Sequence, residues 1–189
     1  LSHSRKTHVP YVIYDSSLLN ETARRKHLAS DMVMALEHNA LELYYQPIVN
    51  LESGRCEAVE ALLRWRHPEL GFIPPNEVIQ VAEEFQLAEK LGGWVLNTAC
   101  EQLHQWQHLG LVDLQMCVNI SPGMYQRNLL KLVARALMEH HIPASSLVLE
   151  VTEDTTMREV KNSLQLMQDL SQQGVHLALD DFGTGYSSL

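Results

Sequence analysis

The 189-residue chain is poor in basic side chains: 14 lysines and arginines stand against 23 aspartates and glutamates, a formal net charge of -9. That balance leaves no electrostatic footprint for duplex nucleic acid or an anionic membrane surface, so an anionic ligand needs local help from an arginine or a metal ion. Long hydrophobic runs are missing too. None approaches the roughly 20 residues of a membrane span, and no basic, apolar and small-residue succession marks a secretory signal, which points to a cytoplasmic domain. Cysteines are scarce and odd in number. Cys56, Cys100 and Cys117 are widely spaced in apolar patterns, so neither a disulfide framework nor a zinc knuckle fits, and all three read as small buried hydrophobes. A hydrophobic share of 46% over this length suffices for one sizeable core. The start at Leu1 rather than Met, and the end in YSSL where a helix could begin, read as an excerpt from a longer protein.

What the sequence does have is oxygen ligands at the ends of apolar runs. In LALDDFGTGYSSL (177–189) such a run ends in Asp180 and Asp181, followed by a loop with Gly183 and Gly185. The theme recurs with Glu60 in CEAVEALLRW, Asn119 in LQMCVNIS, and Glu150 and Glu153 in LVLEVTED. Strands that present acids at one end, separated by helical stretches, are how a parallel α/β barrel builds an active site. Metal-assisted chemistry is the hypothesis that follows.

Along the chain, VPYVIY near the start reads as the last strand of something upstream, and 17–39 as a connector helix carrying Leu28, Met32, Ala35 and Leu36 at helical spacing. Strands at 41–49 and 55–65 flank the turn NLESG, too short a link for parallel neighbours, and so form an antiparallel hairpin. Helices follow from Pro74 and Pro75 to about Phe85, and from about Glu89 to Leu109. Then come the strand LQMCVNI, a helix near 129–140, the strand LVLEVT, a helix near 160–173 stopped by Gly174, and the strand VHLALDD. Asn119, Glu150 and Asp180 stand 31 and 30 positions apart, at one phase of a repeating βα unit whose right-handed crossovers bring the strand ends to one face. Five strands are counted where a closed barrel needs eight.

Glu60 sits in the middle of AVEALL, where a buried carboxylate needs a cation or a hydrogen-bonding network. The structural explanation is an ion pair with Arg64, two pleats along on the same face; the functional one is membership of a ligand set with Asn119, Glu150 and Asp180. Oxygen donors without histidine or cysteine at matching positions favour Mg²⁺ or Mn²⁺ over zinc, and adjacent Asp180 and Asp181 have room to serve two ions. Two such ions activate a water and stabilise the leaving oxygen in phosphodiester hydrolysis, with Arg64 and the glycine-containing loop to hold the phosphate. His104 and His108, four apart on a helix, fall on its polar face with Glu101 and Gln105 and read as solvated. Trp65, Trp94 and Trp106 read as core.

YYQPIVNLESGRCEAVEALLRWRHPELG, followed by VNIS, EVTE and LALDDFGTGYSSL, closely resembles the EAL domain family of bacterial phosphodiesterases specific for cyclic di-GMP, from about Leu41 to Leu189. The resemblance covers about three fifths of a family domain, with residues 1–16 left as the tail of an upstream domain and 17–40 as connector. It implies a (β/α)8 TIM-type barrel with an antiparallel first strand, of which about the first five strands are present. It implies hydrolysis of cyclic di-GMP to linear pGpG by a metal-activated water. Glu60 becomes the acid of the family's signature triplet and a metal ligand; Asn119, Glu150 and Asp180 complete the first ion's shell, and Asp181 helps to hold the second. Glu60, Asp180 and Asp181 are thus the candidate catalytic residues. Gln46 and Arg64 match substrate-contacting positions, Arg64 through a phosphate. Glu153 braces the loop after Asp181, which the family also uses in homodimer contacts.

Residues 1–18 faintly resemble the tail of a GGDEF domain, so an upstream sensor or GGDEF domain is expected, with membrane segments before Leu1 as an additional form. The family's later strands carry further catalytic residues, so a chain ending at Leu189 is expected to turn over little. A catalytically inactive cyclic di-GMP receptor or protein-interaction module is the alternative, and a Mg²⁺-dependent lyase of the enolase type is the reading that sets the resemblance aside.

Overall fold

The computed structural model describes residues 16–121, 123–124, 128–152 and 160–180. Helix α1 (Ser16–Glu37) leads into strand β1 (Leu41–Val49), which turns back as β2 (Cys56–His67) and the short β3 (Gly71–Ile73). Helices α2 (Pro75–Glu84) and α3 (Ala88–His108) follow, then β4 (Gln115–Ile120), α4 (Leu129–Glu139), β5 (Leu147–Thr152), α5 (Val160–Gln172) and β6 (His176–Asp180). The strand expected in VPYVIY lies outside the described residues.

The sheet runs β1-β2-β4-β5-β6, with β1 antiparallel to β2 and the remaining neighbours parallel. The hairpin is set by Asn50, whose Oδ1 accepts from the backbone N–H groups of Glu52 and Ser53 at 2.9 Å each, a local turn that asparagine favours. Beyond the five expected strands the structure adds β3, antiparallel on the end of β2. Three residues are too few to show a period of two. Helix α2 starts with Pro75 in its first turn, where a missing N–H costs nothing. Helix α5 gives way to Gly174 at φ 88°, a conformation that glycine adopts freely.

Alternation along the strands divides the sheet into two faces. Val59 and Ala61 of β2, Met116, Val118 and Ile120 of β4, and Leu147 and Leu149 of β5 pack against Leu96, Ala99 and Leu103 of α3, Val133 of α4 and Leu170 of α5. Every second residue then goes to the other face: Glu60, Leu62 and Arg64 on β2, Cys117 and Asn119 on β4, Val148 and Glu150 on β5. A second cluster lies at the hairpin's far end. There Leu28 and Met32 of α1 meet Trp65 and Ile73 and Val78 and Val81 of α2. Gly92 on α3 allows the chain after β4 to sit close, since a Cβ there would lie 2.1 Å from Met124 Cε.

One reading of the buried residues changes, that of Cys56. Trp65 is in the core, and Trp106 packs edge-on against Tyr45 at 4.9 Å. Cys56, however, is exposed, because it opens β2 beside the hairpin turn; Cys100 and Cys117 are buried. Among the described residues no helix is long and apolar enough to cross a membrane.

Candidate active site

The face of the sheet that none of the described helices covers gathers the polar residues singled out by their spacing. In register Gln46 lies opposite Glu60, and Asn119 lies opposite Glu150. Glu60 and Asn119 are half-buried and in contact: Asn119 Nδ2 donates to Glu60 Oε1 at 2.8 Å. Glu60 therefore does not pair with Arg64. Arg64 donates from Nη1 to the Leu63 carbonyl at 2.8 Å and lays its guanidinium 5.5 Å from the centre of the Tyr44 ring, a cation–π arrangement. These contacts leave most of the guanidinium's five donors to other groups. Gln46 is exposed beside Glu60.

Cys117 belongs to the same face, a placement the reading of it as a small buried residue left out. It lies opposite Glu60 in register, on the strand between Glu60 and Glu150. Burial pushes its pKa up to about 12, and the charges of Glu150 and then Glu60 add to the rise. The signal was in the sequence. Two positions before Asn119 on a strand means the same face.

Asp180 ends β6, where its backbone pairs in register with Thr152 of β5. Asp181, Glu153, Gly183 and Gly185 lie outside the described residues. Among the described residues no three His, Cys, Asp or Glu side chains converge on one ion position. What adjacent strands do bring to one face is two carboxylates, Glu60 and Glu150, and the amide of Asn119. Their hard oxygen donors fit a divalent ion of the Mg²⁺ or Mn²⁺ type, which takes about six oxygens and keeps several from water or substrate. His104 and His108 are not part of this. Their ring centres lie 4.1 Å apart on α3 with the planes tilted by 49°, and His108 Nδ1 donates to the His104 carbonyl at 3.0 Å.

A family model described as EAL domain matches residues 29–189. The bifunctional diguanylate cyclase/cyclic di-GMP phosphodiesterase MucR of Pseudomonas aeruginosa is 41% identical over 180 residues, 95% of this chain and 26% of that protein. The cyclic di-GMP phosphodiesterase NbdA of the same organism is 37% identical over 177 residues, 93% of this chain and 23% of that protein. The chain thus spans about a quarter of the length of these relatives. Among solved structures, the PaMucR phosphodiesterase in complex with c-di-GMP superposes with a TM-score of 0.80 at 43% identity, covering 86% of this chain and 66% of that one. The FimX EAL domain of Pseudomonas aeruginosa bound to c-di-GMP gives a TM-score of 0.74 at 29% identity, covering 84% and 63%. The α/β architecture described above is consistent with part of such a TIM-like barrel.

Proposed function

This chain belongs to the EAL domain family, and from that premise we propose that it supplies the metal-holding face of an enzyme that hydrolyses cyclic di-GMP to linear pGpG. The observation that carries the reading is the set Glu60, Asn119 and Glu150 on three adjacent strands, on the face that none of the described helices covers, with Asn119 bonded to Glu60. Asp180 and Asp181 extend the set, and two Mg²⁺ or Mn²⁺ ions are its cargo. Bound there, the ions supply the positive charge that makes a water nucleophilic near neutral pH and offsets charge on the leaving oxygen.

The protein's own part is to hold and orient. Glu60 and Glu150 provide negative charge at fixed places, and the amide of Asn119 ties one of them down. Arg64, on the same face and braced over Tyr44, offers free N–H groups to a phosphate of the nucleotide. Gln46, beside Glu60, contacts the substrate, and Glu153 braces the loop after Asp181. Homodimer formation and an upstream sensor or GGDEF domain belong to this reading as well.

A second reading is a domain that binds cyclic di-GMP or a partner without turnover. It is supported by the likeness to the FimX EAL domain, which was solved with c-di-GMP bound. Product analysis separates the two. The full-length protein, stripped of divalent ions and resupplied with Mn²⁺ or Mg²⁺, is expected to form pGpG from cyclic di-GMP only after resupply. Nucleotide binding without product under both conditions would overturn the enzyme in favour of the receptor.

A further inference from the structure

We infer that Tyr44 is a positioning residue for the substrate: its ring holds the Arg64 guanidinium in place, with its charge uncancelled, for a phosphate of the nucleotide. The inference rests on the reading of Arg64 as the phosphate-holding group.

The placement follows from the hairpin. Tyr44 lies opposite Leu62 in register, so Arg64, two residues further along β2, is its diagonal neighbour on the same face. Diagonal neighbours on antiparallel strands stand roughly 7–8 Å apart, within reach of an aromatic ring and a long side chain. The Arg64 Cζ lies over the Tyr44 ring, 5.5 Å from its centre, inside the range of a cation–π contact. Nη1 donates to the Leu63 carbonyl at 2.8 Å, which fixes the group from a second direction. The remaining N–H groups are left to a ligand.

What Arg64 does not do is as informative. Glu42 lies directly opposite it in register, and opposite charges facing each other across two strands are a favourable pair. Arg24 and Arg25 on α1 do take carboxylates, those of Glu77 and Glu84. Among the described residues Arg64 takes none and turns to the ring instead. A carboxylate would orient the guanidinium but compete with a phosphate for it. A ring holds it by the face and leaves both the charge and the N–H edge to the ligand. The cation is therefore ordered before the nucleotide arrives, and less ordering is left for the binding step.

Two adjacent tyrosines divide the work here. Tyr45 goes to the helix-covered face, where it packs edge-on against Trp106. Tyr44 is 46% exposed on the other face, beside Gln46 and Glu60. An exposed strand position is served as well by threonine or valine. Neither offers a π face to Arg64.

A cycle of variants in the full-length protein tests the role. In calorimetric titration with cyclic di-GMP in EDTA, Arg64→Ala is expected to weaken binding about tenfold or more. Tyr44→Leu is expected to weaken it about fivefold, and Tyr44→Phe, which keeps the ring, to stay near the wild type. In the Arg64→Ala background, Tyr44→Leu should cost nothing further, because it acts through Arg64 alone. With Mn²⁺ restored, the same losses are expected in KM, with kcat of Tyr44→Leu within about twofold of the wild type. Wild-type affinity in Tyr44→Leu, or a Tyr44→Phe as weak as Tyr44→Leu, overturns the positioning role. So does a loss that persists undiminished in the Arg64→Ala background, which would make Tyr44 a direct contact of the nucleotide. Wild-type affinity in Arg64→Ala, or no binding by the wild type in either condition, overturns the reading beneath the inference and the inference with it. Binding without product overturns the enzyme alone, and the binding cycle still decides the role of Tyr44.

Discussion

Strand β2 carries two polar side chains that look alike in the sequence and differ in the structure, Glu60 and His67. His67 is 4% exposed and fully satisfied. Its Nε2–H donates to Asp31 Oδ2 on α1 at 2.9 Å, and its Nδ1 accepts from the N–H groups of Glu69 and Leu70 at 3.2 Å each. That pattern fixes one neutral tautomer and joins α1 to the end of β2. His27 reaches the same Asp31 oxygen at 3.2 Å, and Arg24 and Arg25 pair with Glu77 and Glu84 of α2. Glu60 is half-buried on the open face and, among the described residues, bonds only the neutral amide of Asn119. A polar group whose every atom is used by the protein holds the fold. A charge fixed only by a neutral donor is kept for a ligand.

The contrast is sharpened by mutations that act in opposite directions at the two places. Glu150→Gln in the full-length protein is expected to cut pGpG formation on the order of 10²–10³-fold, the scale for losing one well-placed electrostatic contact. Its thermal midpoint is expected to stay level or rise, because a like charge has left the open face. A variant that unfolds with activity otherwise intact would make the acids structural. His67→Ala should do the reverse, lowering stability to urea by about 2–4 kcal/mol through a cavity and stranded hydrogen-bond partners. Turnover per folded molecule is expected to remain within a few-fold of the wild type, and a selective loss of turnover would break the division between the two regions.

Alkaline pH tests the buried core that both regions share. Burial holds Tyr45, Cys100 and Cys117 up at about 12, from ordinary values of 10.0 for the phenol and 9.0 for the thiols. Above pH 9 the unfolded chain therefore binds fewer protons than the folded one, and stability falls as pH rises from about 9 to about 12. Urea midpoints at pH 8 and 10.5 should differ accordingly, and Cys100→Ala should reduce the difference. Equal midpoints would mean that the thiols are not buried as described. The smallest effect is expected from Arg24→Ala. Its ion pair with Glu77 is exposed, and such pairs contribute roughly 0–1 kcal/mol.

Much of this was legible in the sequence because the signals are periodic. LQMCVNI and LVLEVT alternate or run apolar for one strand length, and Asn119 and Glu150 fall in register because their βα units have nearly equal length. The NLESG turn forced an antiparallel hairpin, as found. What was not legible depended on contacts between distant segments. Nothing in a connector-like helix announces that Leu28 and Met32 pack with Trp65 and Ile73, or that Asp31 meets a histidine 36 positions away. Glu60 was read as facing either Arg64 or a ligand. Only the fold places Asn119 beside it and turns Arg64 toward Tyr44. Cys117 was read as a small buried hydrophobe, and it is buried. Cys56 was read the same way, although its place beside a turn leaves it open to solvent.

The most direct test of the account is a side-by-side measurement of Glu60→Gln and wild-type full-length protein, following pGpG formation from cyclic di-GMP with Mn²⁺ and thermal unfolding on the same samples. The expected result is product from the wild type, none above background from the variant, and midpoints that agree or favour the variant. Equal rates of product formation, or loss of rate only in step with loss of fold, would contradict the assignment of Glu60 to chemistry rather than structure.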